Sequence, residues 1–280
     1  MLSAEPERLT SALWLAAHDG VGGRPVIEGR PLGVGLGCAL LAELMYEGYL
    51  QLLDGELFRT PAPLPMDPAL QPVLAGMAEE EQRWHLARAR AAVPAPRHDH
   101  DGRATTSVDR SWPAAGSDGV GQQWLGARHD ERQPRPMEQT RHRRPGHRLD
   151  EWLPFLANGR AESFVLERLI REGLAMQVQQ RRMFGFGAVE TTYVPCDSVA
   201  AATPANLISI AVVNRQPLDH LQLFLAGLLL ATGLHHHGFQ ILGPSDRAYL
   251  NDQFKDGLDG PSKELLLAAE HAVAAVAAMR

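Results

Sequence analysis

The sequence predicts a mainly α-helical protein, a helical bundle core with peripheral β-hairpins. Three observations carry that reading. Apolar residues recur at helical spacing on both sides of a polar tract at residues 95–148. Asp54-Gly55 and Gly185-Phe186-Gly187 each separate two short apolar runs, which is the pattern of a hairpin. After Val194 the chain reads helical to its end.

Taken in order, residues 9–17 predict a short helix that stops at His18-Asp19-Gly20. Gly-rich sequence follows, and Leu36, Leu40, Leu41, Leu44 and Met45 then share a helical face, with Gly48 at the stop. Strands at 49–53 and 56–59 flank Asp54-Gly55, a pair suited to a turn that needs positive φ twice. Asp67 caps a further helix through Leu74 and Met77. In the second half, Phe164, Leu166, Leu169 and Ile170 form a helical stripe ended by Gly173. Strands at 175–184 and 189–194 follow it. Helices are then expected at 199–213, 218–234, 247–254 and 263–279, the last with Ser262 as its N-cap. Residues 218–234 are apolar on all sides and belong in the core.

The two halves share a unit. Residues 41–48 and 166–173 carry Leu, Leu, Glu and Gly in phase, and both lead into a hairpin. Between the halves, residues 95–148 hold ten arginines, seven acidic residues, one leucine and no isoleucine. So little aliphatic surface cannot offset the entropy of ordering, and a disordered insertion is expected there. The expected organisation is one helical domain built from residues 1–94 and 149–280 around that insertion.

Composition excludes several classes. A net charge of −6 with 45% hydrophobic and 21% charged residues fits a soluble globular chain, not a strongly basic nucleic-acid binder. Cys38 and Cys196 are far apart and form neither a disulfide framework nor a thiolate zinc site. Glu5, Glu7 and Arg8 leave no room for a signal-peptide apolar core. The apolar run at 221–234 falls short of the roughly 20 residues that a membrane span needs. A cytoplasmic protein is expected, one that at most lies on the cytoplasmic face of a membrane.

No constellation points to catalysis. His235, His236 and His237 would sit about 100° apart on a helix and could not face one ion together, so a solvated helix end is the simpler reading. His98-Asp99-His100-Asp101 lies in the polar tract. Gly33-Val34-Gly35-Leu36-Gly37 could offer amides to an anion if Leu36 opens the helix, although a tight turn explains the glycines as well. Glu79-Glu80-Glu81 reads as a solvated face, and Glu43 is buried only if paired, with Glu47 facing out. No catalytic residue, metal site or cofactor is expected, and the protein is not expected to be an enzyme. A winged-helix DNA-binding regulator is the competing class, with residues 166–172 in the groove, 175–194 as the wing, and Arg168, Arg171, Arg181 and Arg182 near phosphate. Glu162, Glu167 and Glu172 on the same helix oppose it, and no nucleic-acid partner is expected.

Residues 37–52, Gly-Cys-Ala-Leu-Leu-Ala-Glu-Leu-Met-Tyr-Glu-Gly-Tyr-Leu-Gln-Leu, resemble the first core helix and strand of the Golgi phosphoprotein 3 family. Residues 149–153 and 166–174 resemble its second block, and 218–279 its closing helices. The arginine bias, with Lys255 and Lys263 the only lysines, fits a bacterial-type member carrying an insertion. The resemblance implies a non-enzymatic peripheral membrane adaptor that binds phosphatidylinositol 4-phosphate and holds partner proteins. It also implies self-association through the hairpin at 175–194. An ungapped overlay puts Glu28, Gly37, Gly159 and Glu162 where the family reads the lipid headgroup. None of these donates a positive charge to phosphate, but Arg30 and Arg160 lie close by and are the candidate headgroup-binding residues. A soluble member that has lost lipid binding and acts through protein contacts is the further alternative.

Overall fold

The computed structural model describes residues 8–19, 24–27, 29–92, 146–181 and 189–278. In chain order its elements are α1 (Leu9–Ala16), α2 (Arg30–Tyr46), β1 (Leu50–Leu53), β2 (Glu56–Arg59), α3 (Gln71–Ala92), β3 (His147–Arg148), α4 (Leu149–Ala157), α5 (Arg160–Arg171), β4 (Ala175–Arg181), β5 (Val189–Pro195), α6 (Ser198–Val213), α7 (His220–Ala231), α8 (His235–Gly238), α9 (Pro244–Gly257) and α10 (Gly260–Ala278). The class is therefore mainly α with small antiparallel β pairs, as the sequence predicts. Chain packing divides residues 1–82 together with 144–280 from residues 83–143, and the helical core belongs to the first of these units.

Helix α2 is the axis of that unit. It touches α1, α4, α5, α7 and α10, and Leu36, Leu40, Leu41 and Leu44 are fully buried. The sequence places the start of this helix at Leu36, yet it begins at Arg30, so Gly33, Gly35 and Gly37 lie inside it and offer no N-terminal amides. Three interior glycines cost a helix about 1 kcal/mol each relative to alanine, which is why they read as a loop. Contact explains them instead. A Cβ at Gly33 would lie 2.5 Å from the Ala157 carbonyl oxygen, one at Gly35 would lie 2.6 Å from the Thr232 methyl, and one at Gly37 would lie 2.9 Å from Leu156. The missing side chains are where α4 and the end of α7 press against α2.

Helix α7 lies in the core as expected, with Phe224, Leu228 and Leu229 fully buried. Helix α4, which the periodicity does not reveal, covers α2 with Leu153 and Leu156 despite Pro154 inside it. The first hairpin pairs Leu50 with Arg59 through Leu53 with Glu56, and Asp54 (φ 52°) and Gly55 (φ 76°) make the turn. A third strand joins it, because His147 pairs with Leu57 and Arg148 with Glu56. Beneath it, His147 Nδ1 lies 2.8 Å from Glu80 Oε2 and the Trp152 indole N–H donates to the same oxygen at 3.0 Å. Arg59 donates to Glu81 at 3.2 Å. Glu80 and Glu81 thus hold side chains from three elements and are not a purely solvated face. Ser262 also departs from its expected role. It is fully buried inside α10, its backbone N–H donates to Asp259 Oδ1 at 2.8 Å, and Asp259 is the cap.

Candidate functional site

Helices α2 and α5 run parallel, and each end of the pair has its own chemistry. Near the C-terminal ends, Glu43 and Arg168 occupy matching positions of the repeated unit and face one another. Arg168 Nη1 donates to Glu43 Oε2 at 3.1 Å and to Asp67 Oδ2 at 2.7 Å. Its Nη2 donates to Thr10 Oγ1 and to Ser11 Oγ at 3.3 Å, while Nε has no partner. Glu43 Oε1 accepts from the Thr10 backbone N–H and hydroxyl, both at 2.9 Å. Arg8 reaches Asp67 as well, and Glu47 at 3.3 Å. Burial alone would lower the Arg168 pKa, but Glu43 and Asp67 hold it above the ordinary value. A guanidinium this deeply paired cannot reach phosphate, so the winged-helix placement of Arg168 is corrected; the side chains of Arg181 and Arg182 lie outside the described residues.

At the N-terminal ends lie the two arginines singled out in the sequence. Arg30 is the first residue of α2 and Arg160 the first of α5, and both are exposed. Glycines in the left-handed region precede them, Gly29 at φ 69° and Gly159 at φ 82°. Neither helix start is capped by a side-chain hydrogen bond. The contact of Gly33 with Ala157 brings the starts to the same end of the unit. Counting back from the Glu43–Arg168 pair at 1.5 Å per residue, the two starts differ in height by about 8 Å. Arg160 is already oriented. Its guanidinium lies 3.9 Å from the centre of the Phe155 ring, and Nη1 donates to the Phe155 carbonyl oxygen at 3.2 Å. Uncapped helix N-termini carry partial positive charge and free amides, one fewer in α2 because Pro31 has no N–H, so two of them with an arginine each favour an anion.

The overlay positions fare differently. Gly37 is buried mid-helix against Leu156 and takes no part in this end, Gly159 is the turn into α5, and Glu162 stands in the first turn of α5. Glu28 lies outside the described residues.

The opposite end of the pair opens into a cavity of about 930 Å³ between α1, α2, the exit of α5, the start of α6, and α7. Its walls mix leucines with carboxylates. Sequence reasoning found neither this cavity nor the role of Arg8, Asp67 and Arg168. The available signal was a glutamate and an arginine at matching positions of two otherwise similar segments.

The three histidines occupy the short helix α8, where the rings of His235 and His236 stack with centres 4.0 Å apart. Burial, then the neighbouring His236, lowers the His235 pKa. Among the described residues no group of three metal-capable side chains converges. His98 and its neighbours lie outside them, and so do residues 182–188 at the tip of the second hairpin. The hairpin itself pairs Ala175 with Pro195 through Arg181 with Val189.

A family model described as Golgi phosphoprotein 3 (GPP34) matches residues 118–279, more than half of the chain. The match begins within the polar tract and runs through α4 to α10, while residues 37–52 lie outside it. No curated protein matches the chain.

Proposed function

The chain belongs to the Golgi phosphoprotein 3 family, and from that premise we propose that it is a non-enzymatic peripheral adaptor that binds the phosphorylated headgroup of phosphatidylinositol 4-phosphate. One observation supports the reading above the others: two uncapped helix starts, each led by an arginine, sit at one end of the unit. A monoester phosphate carries more than one negative charge and several acceptor oxygens, which suit helix amides and a guanidinium together. Among the described residues no helix is long and apolar enough to cross a membrane, so attachment would be peripheral, on a cytoplasmic face. Protein partners would be held beside the lipid, and copies would associate through the hairpin at 175–194.

Vesicle co-sedimentation tests this. Neutral, generic anionic and phosphatidylinositol 4-phosphate vesicles would be compared at low and physiological salt, with Arg30→Ala/Arg160→Ala alongside. Selective pelleting with the phosphoinositide, lost in the double variant, is the expected result. Equal pelleting with any anionic vesicle would refute headgroup recognition.

A second reading rests on Glu162. A carboxylate in the first turn of α5 already occupies the favourable position for negative charge and repels an incoming phosphate. On that reading the protein is a soluble member that works through protein contacts, and no vesicle of any composition retains it.

A further inference from the structure

The cavity at the C-terminal ends of α2 and α5 has an electrostatic character opposite to that of the arginine end. Four carboxylates line it, those of Glu43, Glu47, Glu172 and Asp197, against the single guanidinium of Arg8. Two of the four are already occupied. Glu43 is spent on Thr10 and Arg168, and Asp197 accepts from the Val199 backbone N–H at 2.8 Å to cap α6. Glu47 holds only the half-exposed Arg8, which it shares with Asp67. Glu172 makes no side-chain hydrogen bond or ion pair among the described residues. Both stand at the ends of their helices, where the helix dipoles are negative and favour a cation.

The rest of the wall is apolar. Leu15, Leu174 and Leu221 line it, and Val199 stands 70% exposed at the start of α6. Leu207, Ile210 and Val213 continue an exposed apolar stripe along that helix, which has no charged residue. An inorganic cation would leave these walls wet, a fatty acid would meet like charge, and a neutral alkane would leave Glu172 without a counter-charge and Glu47 with only its share of Arg8. A volume of about 930 Å³ lies within the range of ligand-binding cavities.

We infer that this cavity binds an amphiphilic cation, a primary ammonium on an apolar stem. The ammonium is held at Glu47 and Glu172, and the stem runs along Leu15, Leu174 and Leu221 toward Val199. Burial, with Glu43 and Asp67 nearby, raises the Glu47 carboxyl above its ordinary range, and an ammonium group relieves the same excess of negative charge.

The test is calorimetric titration of the full chain with octylamine, octanoate and octanol, all below their aggregation concentrations. Octylamine should bind up to about fivefold tighter than octanol, the worth of an ion pair to exposed carboxylates, and octanoate weakest. Raising the salt should narrow the gap between amine and alcohol. Glu47→Gln/Glu172→Gln should bring the amine down to the alcohol's affinity and leave the alcohol unchanged. Leu221→Trp, which places a bulky ring on the path of the stem, should weaken binding of both, with an unchanged circular-dichroism melt as the check on folding. Arg30→Ala/Arg160→Ala should bind octylamine as the parent does, so loss of the headgroup site and loss of this one are separable. No octylamine binding, equal affinity for octylamine and octanoate, or amine binding that survives the glutamine variant would each overturn the proposal.

Discussion

The two copies of the helix–Gly–hairpin unit are built from similar segments and buried to different depths. Both helices end alike. Gly48 (φ 79°) and Gly173 (φ 71°) turn the chain, and the following N–H returns to a carbonyl of the last turn, Tyr49 to Leu44 at 2.8 Å and Leu174 to Leu169 at 2.9 Å. Yet α2 is packed on every side and carries glycine and alanine where neighbours press on it, whereas α5 is amphipathic and shows Glu167 and Arg171 to solvent as an exposed pair at 2.9 Å. Helix surroundings, more than helix-forming tendency, therefore wrote the composition of each copy. The matched positions 43 and 168 then carry opposite charges, which ties the copies to each other.

That pairing gives the largest expected effect. Arg168→Ala leaves Glu43 buried without a counter-charge and Asp67 with Arg8 alone, at a cost of about 3–5 kcal/mol. Arg171→Ala, one turn on and exposed, should change stability by less than about 0.5 kcal/mol. Urea unfolding of the two variants measures both. Similar losses would mean that the tie between copies is not what distinguishes them.

Overpacking comes next. Gly33→Ala drives a methyl group against the Ala157 carbonyl and should cost about 1–3 kcal/mol, whereas Ser163→Ala on the exposed face of α5 should be near neutral. Thermal melts suffice. At the shared stops, Gly48→Ala and Gly173→Ala should each cost about 1 kcal/mol, since nothing lies within 4 Å of either added Cβ and only the positive φ is strained. Markedly unequal costs would break the equivalence of the two ends.

The smallest effect is in pH dependence. Burial, ahead of the nearby charges, makes the folded Glu47 carboxyl hold its proton more tightly than its ordinary value of 4.5. Its contribution is therefore fully present below about pH 4.5 and is lost as pH rises through the raised value. Glu47→Gln should flatten the part of the profile that lies above about pH 4.5, read as urea midpoints. His18 acts in the opposite sense. Burial, only partly offset by its bond to the Trp14 carbonyl, lowers its pKa, so its contribution is present above about pH 6.5 and lost as pH falls through the lowered value.

Local signals made much of the fold readable. Asp54-Gly55, Gly48, Gly173 and the all-apolar α7 each announce themselves within a few residues. The misreadings share one cause, that a distant contact decided the local structure. Gly33, Gly35 and Gly37 look like a loop until α4 and Thr232 are seen to need the space, and Glu80 looks solvated until His147 and Trp152 arrive across the chain. Of the candidate site, Arg30 and Arg160 are sequence expectations that the proposal keeps, whereas the parallel course of α2 and α5 that brings their starts to one end rests on pairings more than a hundred residues apart. The acidic cavity gathers side chains from five elements, and no linear pattern announces that.

Two thiols give the molecule a built-in clock. Cys196 is exposed, whereas Cys38 is fully buried in α2, its Sγ–H donating to the Leu265 carbonyl oxygen of α10 at 3.6 Å and its ionisation pushed well up by burial. An alkylating reagent needs thiolate and access, so Cys196 should be modified at once and Cys38 only during excursions that part α2 from α10. The slow phase of a simple labelling curve would thus time the opening of a helix contact that joins chain positions 227 residues apart.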